Sequence, residues 1–377
     1  MSLRTYLAAI CFATMISASA NAQNIVIGLS APTTGPAATA GVWERWGVDL
    51  ALDEVNSAGG LLGRKLEVLS LDNHCNPAEA VNVANKLVEA KVAAIIGAHC
   101  SSGTLASMPI IQEAKIPMIT GVSTAPAITA QSGVGGNDYM FRINPSDQDM
   151  MDALGIYLGK KTKFKKVAVV AEDSDFGRGG AGAFAPAAKK NGLEILSTDF
   201  YPQNTPDFTS ILTRVQQERP DAIALFQLGG DQLNFLRNAM QVGIKIPYTG
   251  RAELGGKNMQ FIEAGGMEGS VGAWFYSAEI DTPLNKAFVA ATQKRFNSIP
   301  YLQTWHGYSC FKILAQAIKE AGSADPVKIH DALKKISYQD VMGETMKFDD
   351  HNQAGKLVVI QGVKDKKVQV IDLVQLP

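Results

Sequence analysis

Short apolar runs rich in β-branched residues alternate along the chain with segments whose apolar residues recur at helical spacing. The apolar runs lie at 24–30, 65–72, 92–98, 116–122, 166–172, 194–201, 221–227 and 246–250. In the first half, the helical segments lie at 41–57, 77–90 and 103–114. Strands separated by helices of this length predict parallel sheets covered on both faces. The pattern therefore predicts an α/β fold with two doubly wound parallel-sheet units, divided near 140–145, where an extended X-Pro segment follows a glycine-rich stretch.

The first residues resemble an export signal. Arg4 precedes an apolar run from Tyr6 to Ile16, and Ala20-Asn21-Ala22 has the small-residue pattern of a cleavage site. These features predict a secretory signal peptide over 1–22. The apolar run is too short to span a membrane, and no later stretch reaches about 20 apolar residues. We therefore expect the mature chain to work in an oxidising compartment, where disulfides persist.

Two His-Cys pairs, His74-Cys75 and His99-Cys100, place their cysteines 25 residues apart. They are candidates for a zinc site or, through the cysteines alone, for a disulfide. Structural zinc sites usually pair their ligands at short spacings such as C-x2-C, and neighbours on an extended segment point to opposite faces. The pattern favours a disulfide, with both histidines as ordinary residues at loop edges. Cys310 lies in an amphipathic helical segment, which predicts a buried thiol.

Composition gives no reason to expect a charged macromolecular partner. Hydrophobic residues make up 46% of the chain, charged residues 19%, and the formal net charge is −1. This balance does not favour nucleic acid or anionic lipid as a partner. A mature chain of about 355 residues is long for one core, which favours two domains.

Hydroxyl side chains follow two predicted strands of the first unit. Open α/β sheets bind ligands beyond the carboxyl ends of their strands. Ser101-Ser102-Gly103-Thr104 and Ser123-Thr124-Ala125-Pro126 each place a hydroxyl and free backbone N–H groups where a helix begins. Plain helix capping explains either one alone, whereas two on neighbouring strands favour a site for an anion such as a carboxylate.

The stretch from Gly177 to Gly182 matches the dinucleotide fingerprint G-x-G-x-x-G. However, the segment EDSDF separates these glycines from the preceding strand, and a secreted protein has little access to NAD. A secreted oxidoreductase is therefore the weaker hypothesis. The sequence lacks G-x-S-x-G, H-E-x-x-H and P-loop signatures. We expect a binding protein rather than an enzyme.

The chain resembles the periplasmic leucine/isoleucine/valine-binding proteins of ABC transporters from about Asn24 to the C-terminus. Six stretches carry this resemblance in order: GLSAPTTGPAA, DEVNSAGGLLGRKLEVLSLDN, CNPAEAVNVANKLV, GAHCSSGT, IPMITGVSTAPAIT and DFTSILTRVQ. The resemblance implies the type I periplasmic binding protein fold, with two lobes joined by three hinge segments. It also implies a Cys75–Cys100 disulfide. The lobes would comprise 23–142 with 277–349, and 143–276 with 350–377.

The resemblance further implies a function. A small-molecule carboxylate would bind in the cleft, the lobes would close by hinge motion, and the closed form would dock on the membrane subunits of an ABC permease. We expect a periplasmic monomer without cofactor or metal, and without nucleic acid as a partner. A sensor that docks on a receptor is the alternative role.

The resemblance also assigns ligand-binding positions. Ser101 and Thr124 would hold a carboxylate, with Ser123 beside them, and the backbone carbonyl of Val122 would accept from an ammonium group. Phe176 and Tyr301 would supply aromatic walls. The family's ammonium-binding glutamate falls on Ala252, with Glu253 one residue later, and two of its cleft aromatics fall on Ala40 and Leu228.

These departures point to a ligand without an amine. A buried ammonium needs a carboxylate partner, and small residues at two aromatic positions predict a wider cleft. Arg251 would add a donor for a second acidic or phenolic group, unless it is a solvated loop charge. An aromatic carboxylate is therefore the favoured ligand. If Glu253 reaches the cleft, a branched-chain or other hydrophobic amino acid is the alternative.

Overall fold

The computed structural model describes residues 23–376, so the predicted signal peptide lies outside the described residues. The strands are β1 (Ile25–Ala31), β2 (Leu66–Asp72), β3 (Ala94–Ile96), β4 (Met118–Thr120), β5 (Met140–Arg142), β6 (Lys166–Glu172), β7 (Glu194–Tyr201), β8 (Ala222–Phe226), β9 (Tyr248–Gly250), β10 (Val271–Trp274), β11 (Tyr338–Gln339), β12 (Thr345–Met346), β13 (Leu357–Lys364) and β14 (Lys367–Gln375). The helices are α1 (Ala38–Ser57), α2 (Pro77–Glu89), α3 (Ser101–Ala114), α4 (Pro126–Gln131), α5 (Asp147–Lys161), α6 (Asp175–Lys190), α7 (Thr209–Glu218), α8 (Gly229–Gln241), α9 (Met259–Glu263), α10 (Pro283–Phe296), α11 (Leu302–Ala321) and α12 (Pro326–Leu333). A short 3₁₀ helix covers Gly256–Asn258.

Two parallel sheets confirm the predicted α/β fold. The first has the order β2-β1-β3-β4-β5 and the second the order β7-β6-β8-β9. Strands β3, β4 and β8 are buried along their whole length, as apolar runs covered by helices on both faces should be. Among the described residues, no helix is long and apolar enough to cross a bilayer.

A third sheet, β10-β13-β14, is antiparallel and did not follow from the alternating pattern. Its hairpin turns at Asp365-Lys366, which both have positive φ (54° and 61°), as a two-residue turn between twisted strands requires. β13 is largely buried, whereas the residues of β14 are half-buried or exposed. This sheet packs against α5 and β9 of the second unit.

The chain passes three times between two groups of elements. The first lobe contains β1–β5, α1–α4 and the returning α10–α12, of which α11 packs along α1. The second lobe contains α5–α9, β6–β10 and the hairpin β13–β14. At one crossing, the guanidinium Nε of Arg142 donates to Gln353 Oε1 at 2.6 Å. The residue limits given above for the two lobes stay a prediction.

The glycines of the G-x-G-x-x-G stretch lie inside helix α6 and not in a turn. A Cβ on Gly177 would lie 2.0 Å from the carbonyl oxygen of Glu172, and one on Gly180 would lie 2.3 Å from the ring of Phe226. Gly177 and Gly180 thus let α6 approach β6 and β8 closely, whereas a Cβ on Gly182 would meet nothing within 4 Å. The position of these glycines inside a helix does not match the tight strand-to-helix turn of a dinucleotide site.

Candidate ligand-binding site

A cavity of about 140 Å³ lies between the lobes, where the carboxyl ends of both parallel sheets meet. This is the edge at which such folds bind ligands. The first lobe supplies Ala37, Thr39, Ala40, Trp43, His99, Ser101, Ser102 and Val122. The second supplies Glu172, Ser174, Phe176, Gln203, Gln227, Leu228, Arg251, Glu253 and Trp274.

The nine positions assigned from sequence divide into two groups. Five line this cavity: Ser101, Val122, Phe176, Leu228 and Arg251. Four lie elsewhere: Ser123, Thr124, Ala252 and Tyr301. Trp43, on α1 three residues after Ala40, also lines the cavity and was missed. Its ring offsets the loss of bulk on which the wider cleft was predicted.

Ser101 is the first residue of α3 and is held by the segment 123–126, which follows β4. Its Oγ accepts from the backbone N–H groups of Thr124 and Ala125, both at 3.2 Å. The hydroxyl proton of Ser101 therefore remains available for a ligand oxygen. The hydroxyl of Thr124 instead donates to Asp147 Oδ2 at 2.9 Å.

Two other assigned residues, Ser123 and Tyr301, make contacts with neighbouring protein groups and do not line the cavity. The hydroxyl of Ser123 donates to the carbonyl of His99 at 2.8 Å and pairs with Thr104. Tyr301 stacks on Trp43, with ring centroids 3.9 Å apart, and lines a second cavity of about 410 Å³ behind Glu253. Tyr301 therefore supports the cavity wall from outside.

Arg251 is buried, so its interpretation as a solvated loop charge is wrong. The guanidinium pairs with Asp147 Oδ1 at 2.5 Å and lies 4.2 Å from the ring centroid of Trp274. Both side chains of this pair are buried, and the carboxylate of Asp147 balances the positive charge of Arg251. Its Nε is buried and makes no hydrogen bond, and Arg251 is one of the residues that line the cavity.

Glu253, and not Ala252, reaches the cavity. The methyl group of Ala252 packs in the core of the second lobe. The backbone N–H and carbonyl of Glu253 both bond to the side chain of Gln232, at 2.8 and 3.0 Å, which fixes the loop. The carboxylate of Glu253 makes no hydrogen bond or ion pair with any described residue, and burial raises its pKa to about 7. The position assigned from sequence, Ala252, is one residue before the glutamate that lines the cavity.

A second glutamate lines the same cavity from the end of β6. Glu172 accepts from the hydroxyl of Ser174 at 2.5 Å, the backbone N–H of Leu228 at 3.1 Å and the amide of Gln203 at 3.2 Å. Burial nevertheless raises its pKa to about 7. Gln227, at the end of β8, lies beside this group and is buried. The polar residues that end β6 and β8 were the sequence signal for this group.

His99 is buried, so its interpretation as an ordinary loop-edge residue is wrong. Its Nδ1 lies 2.5 Å from Glu44 Oε2, and Nε2 of His306 lies 2.9 Å from Glu44 Oε1. Nδ1 of His306 accepts from the backbone N–H of Gly121, so Nε2 carries the proton. Burial alone would raise the pKa of Glu44, but His306 and His99 together lower it to about 2.

The predicted disulfide is confirmed. Cys75 and Cys100 are bonded, with Cα atoms 5.5 Å apart, and Cys310 is a buried free thiol. His74 lies at the surface beside Thr34 and Asp72. Within residues 23–376, no group of three His, Cys, Asp or Glu side chains is placed to hold a metal ion.

The chain is similar in sequence to known binding proteins. The model of the periplasmic binding protein family matches residues 24–367. The leucine-, isoleucine-, valine-, threonine- and alanine-binding protein of Pseudomonas aeruginosa is 28% identical over 343 residues, which cover 91% of this chain and 90% of that protein.

Solved structures share the fold. The branched-chain amino acid transporter substrate-binding protein of Streptococcus pneumoniae, in complex with isoleucine, has a TM-score of 0.83 at 26% identity and covers 94% of this chain and 100% of its own. A solute-binding protein of an ABC transporter from Rhodopseudomonas palustris, in complex with 3,4-dihydroxybenzoic acid, has a TM-score of 0.83 at 24% identity and covers 93% and 97%.

Proposed function

The chain belongs to the periplasmic binding protein family, and we propose that its ligand is an α-amino acid bound between the lobes. It is the substrate-binding component of an ABC transporter, from a family of binding proteins that are not enzymes. Hinge closure on the ligand and delivery to the membrane subunits of a permease in the periplasm are part of this proposal.

The unpaired carboxylate of Glu253 is the observation that carries the proposal. Charged groups enter protein interiors when they are paired, and this carboxylate has no partner among the described residues. Glu172 lines the same cavity, where the buried Arg251 is neutralised by Asp147 and Lys257 is exposed. Because burial raises the pKa of both glutamates to about 7, the wall favours a ligand with an ammonium group from neutral pH upwards, where the glutamates ionise.

The opposite wall is suited to the ligand's carboxylate. Ser101 has a free hydroxyl proton, and the first backbone N–H groups of α3 lie beside it at the positive end of the helix. Ser101 and Glu253 are contributed by different lobes. A ligand with both a carboxylate and an ammonium group would therefore contact both lobes, which gives closure a physical cause.

An aromatic acid remains the second candidate because Trp43, Phe176 and Trp274 line the cavity. These rings would stack on an aromatic ligand. A benzoate-like anion would, however, place its charge in a cavity that already contains Glu172 and Glu253. This repulsion makes the aromatic acid the weaker candidate.

A thermal-shift screen over amino acids and aromatic acids, followed by calorimetry, tests the proposal. We expect an amino acid to stabilise the protein and Glu253→Gln to weaken its binding by about 100-fold, since the ammonium then loses a buried charged partner. Glu263→Gln changes an exposed glutamate of the same lobe and is the matched control. Tight binding of aromatic acids with no response to any amino acid would overturn the proposal.

A further inference from the structure

His99 is a buried residue of the cavity wall with one ring nitrogen left unpaired. Its side chain is only 5% exposed, and it lines the cavity two residues before Ser101. Nδ1 lies 2.5 Å from Glu44 Oε2, whereas Nε2 has no hydrogen-bond partner among the described residues. Unlike the unpartnered side-chain atoms that are closed off from solvent, Nε2 remains accessible. Nε2 is therefore the atom through which His99 can meet a ligand.

The partners of Glu44 fix where the protons of this cluster lie. Glu44 is fully buried, and its carboxylate accepts from Nδ1 of His99 and from Nε2 of His306. Nδ1 of His306 accepts from the backbone N–H of Gly121 at 2.8 Å and lies 3.3 Å from the thiol of Cys310. His306 therefore carries a single ring proton, on Nε2, and is neutral.

Charge balance assigns the positive charge of the cluster to His99. A buried carboxylate is costly unless a cation pairs with it, and the fold keeps Glu44 ionised by lowering its pKa to about 2. Among the described residues, only the two histidines pair with Glu44. With His306 neutral, His99 is the group that supplies the positive charge, as an imidazolium with protons on both ring nitrogens.

The N-terminus of α3 adds donors at the same corner of the cavity. This helix has no side-chain cap, so its first backbone N–H groups stay available at the positive end of the helix dipole. Ser101 keeps its hydroxyl proton free beside them. Among the described residues, His99 is the only ionisable side chain that the first lobe contributes to the cavity. The ionisable residues of the opposite wall are Glu172, Arg251, Glu253 and Lys257.

We propose that His99 is a ligand-binding residue, an imidazolium whose Nε2–H donates to the carboxylate of the ligand beside Ser101, with Glu44 as its buried counter-ion. The inference deepens the proposed function and rests on it only for the presence of a carboxylate in the ligand. Hydrogen bonds between charged groups are about twice as strong as neutral ones. Glu44 does not line the cavity, so it acts through the position and charge of His99.

NMR of ligand-free protein labelled at the histidine ring nitrogens tests the charge of His99. The chain contains five histidines, and correlation with the backbone amides assigns their ring signals without any substitution. At about pH 7, we expect both ring nitrogens of His99 to be protonated and His306 to carry its proton on Nε2 alone. A neutral His99 with a bare Nε2 overturns the inference.

Calorimetry tests the contact with the carboxylate. L-Leucine is compared with L-leucinamide, and benzoate with benzamide, so that each pair exchanges a carboxylate for a neutral amide. We expect the carboxylate of at least one pair to bind more tightly, and His99→Gln to weaken its binding by about 30-fold with little effect on the amide. His74→Gln changes the exposed histidine before the other disulfide cysteine and, as the matched control, should keep native affinity. Native affinity for the carboxylates in His99→Gln overturns the inference.

The unmodified protein decides where His99→Gln does not fold. The Nε2 signal of His99 should then shift on addition of the carboxylate probe and not of its amide, and a signal that does not respond overturns the inference. If His99 is neutral but leucine binding is lost in Glu253→Gln, the proposed function stands without the inference. If His99 is an imidazolium and His99→Gln weakens the binding of benzoate, while no amino acid binds, the inference stands and the proposed function is overturned.

Discussion

Replacing Glu44 with glutamine should destabilise the fold more than any other single Glu→Gln change in α1. The carboxylate of Glu44 is fully buried between His99 and His306, and links α1 to α11 and to the loop after β3. Glutamine has one acceptor oxygen in place of two. One imidazole N–H would therefore face the amide NH₂ group and lose its partner.

The magnitude follows from the pKa of Glu44, which the fold lowers from 4.5 to about 2. At 1.36 kcal/mol for each pH unit, the charged form contributes about 3 kcal/mol of folding free energy at neutral pH. Because the folded-state pKa is depressed, this contribution is complete above pH 4.5 and is lost as the pH falls towards 2. The gap between the two proteins should therefore narrow by about 1 kcal/mol between neutral pH and about pH 3.5.

Urea denaturation followed by circular dichroism measures both effects. The matched control is Glu54→Gln in the same helix, where the carboxylate is 40% exposed in its pair with Lys312 and should contribute about 0–1 kcal/mol. A loss below about 1 kcal/mol for Glu44→Gln, or a gap that does not change with pH, would refute the assigned role of the two histidines.

Three further predictions concern the cleft and its support. Burial raises the pKa of Glu253 to about 7, so affinity for an amino acid should increase about 10-fold from pH 6 to pH 8, as the ionised fraction grows; calorimetry with a flat pH profile would contradict this. Ser101→Ala should weaken binding by about 1.5–3 kcal/mol, whereas Thr124→Val should mainly lower the free energy of unfolding, because that hydroxyl supports a buried carboxylate; native affinity in Ser101→Ala would place the anchor elsewhere. Replacing both cysteines of the Cys75–Cys100 pair with alanine should cost about 3 kcal/mol for a loop of 25 residues, and denaturation that shows no loss would contradict that estimate.

The parallel sheets could be predicted because a strand buried on both faces must be apolar throughout. Short runs such as VAAIIGA, which contains β3, are typical of strands buried on both faces. The helix α2 was equally accessible, since Asn76 caps it by accepting from the N–H groups of Ala78 and Glu79. These features depend on local pattern, which the sequence states directly.

The cavity depends on positions that local pattern does not determine. Glu253 reaches the cavity because Gln232 of α8 fixes the backbone of the loop that carries Glu253. Trp43 replaces bulk that is missing at Ala40, one turn earlier on the same helix. His99 is buried only because α1 presents Glu44 to it. Each depends on the approach of distant segments, which no local pattern states.

A crystal structure with the tightest ligand of the screen tests the central claim most directly. The account predicts an ammonium nitrogen within about 3 Å of a carboxylate oxygen of Glu253 and a ligand carboxylate at Ser101. A ligand that has no amine, or one whose amine contacts other groups while Glu253 stays unpaired, would contradict it.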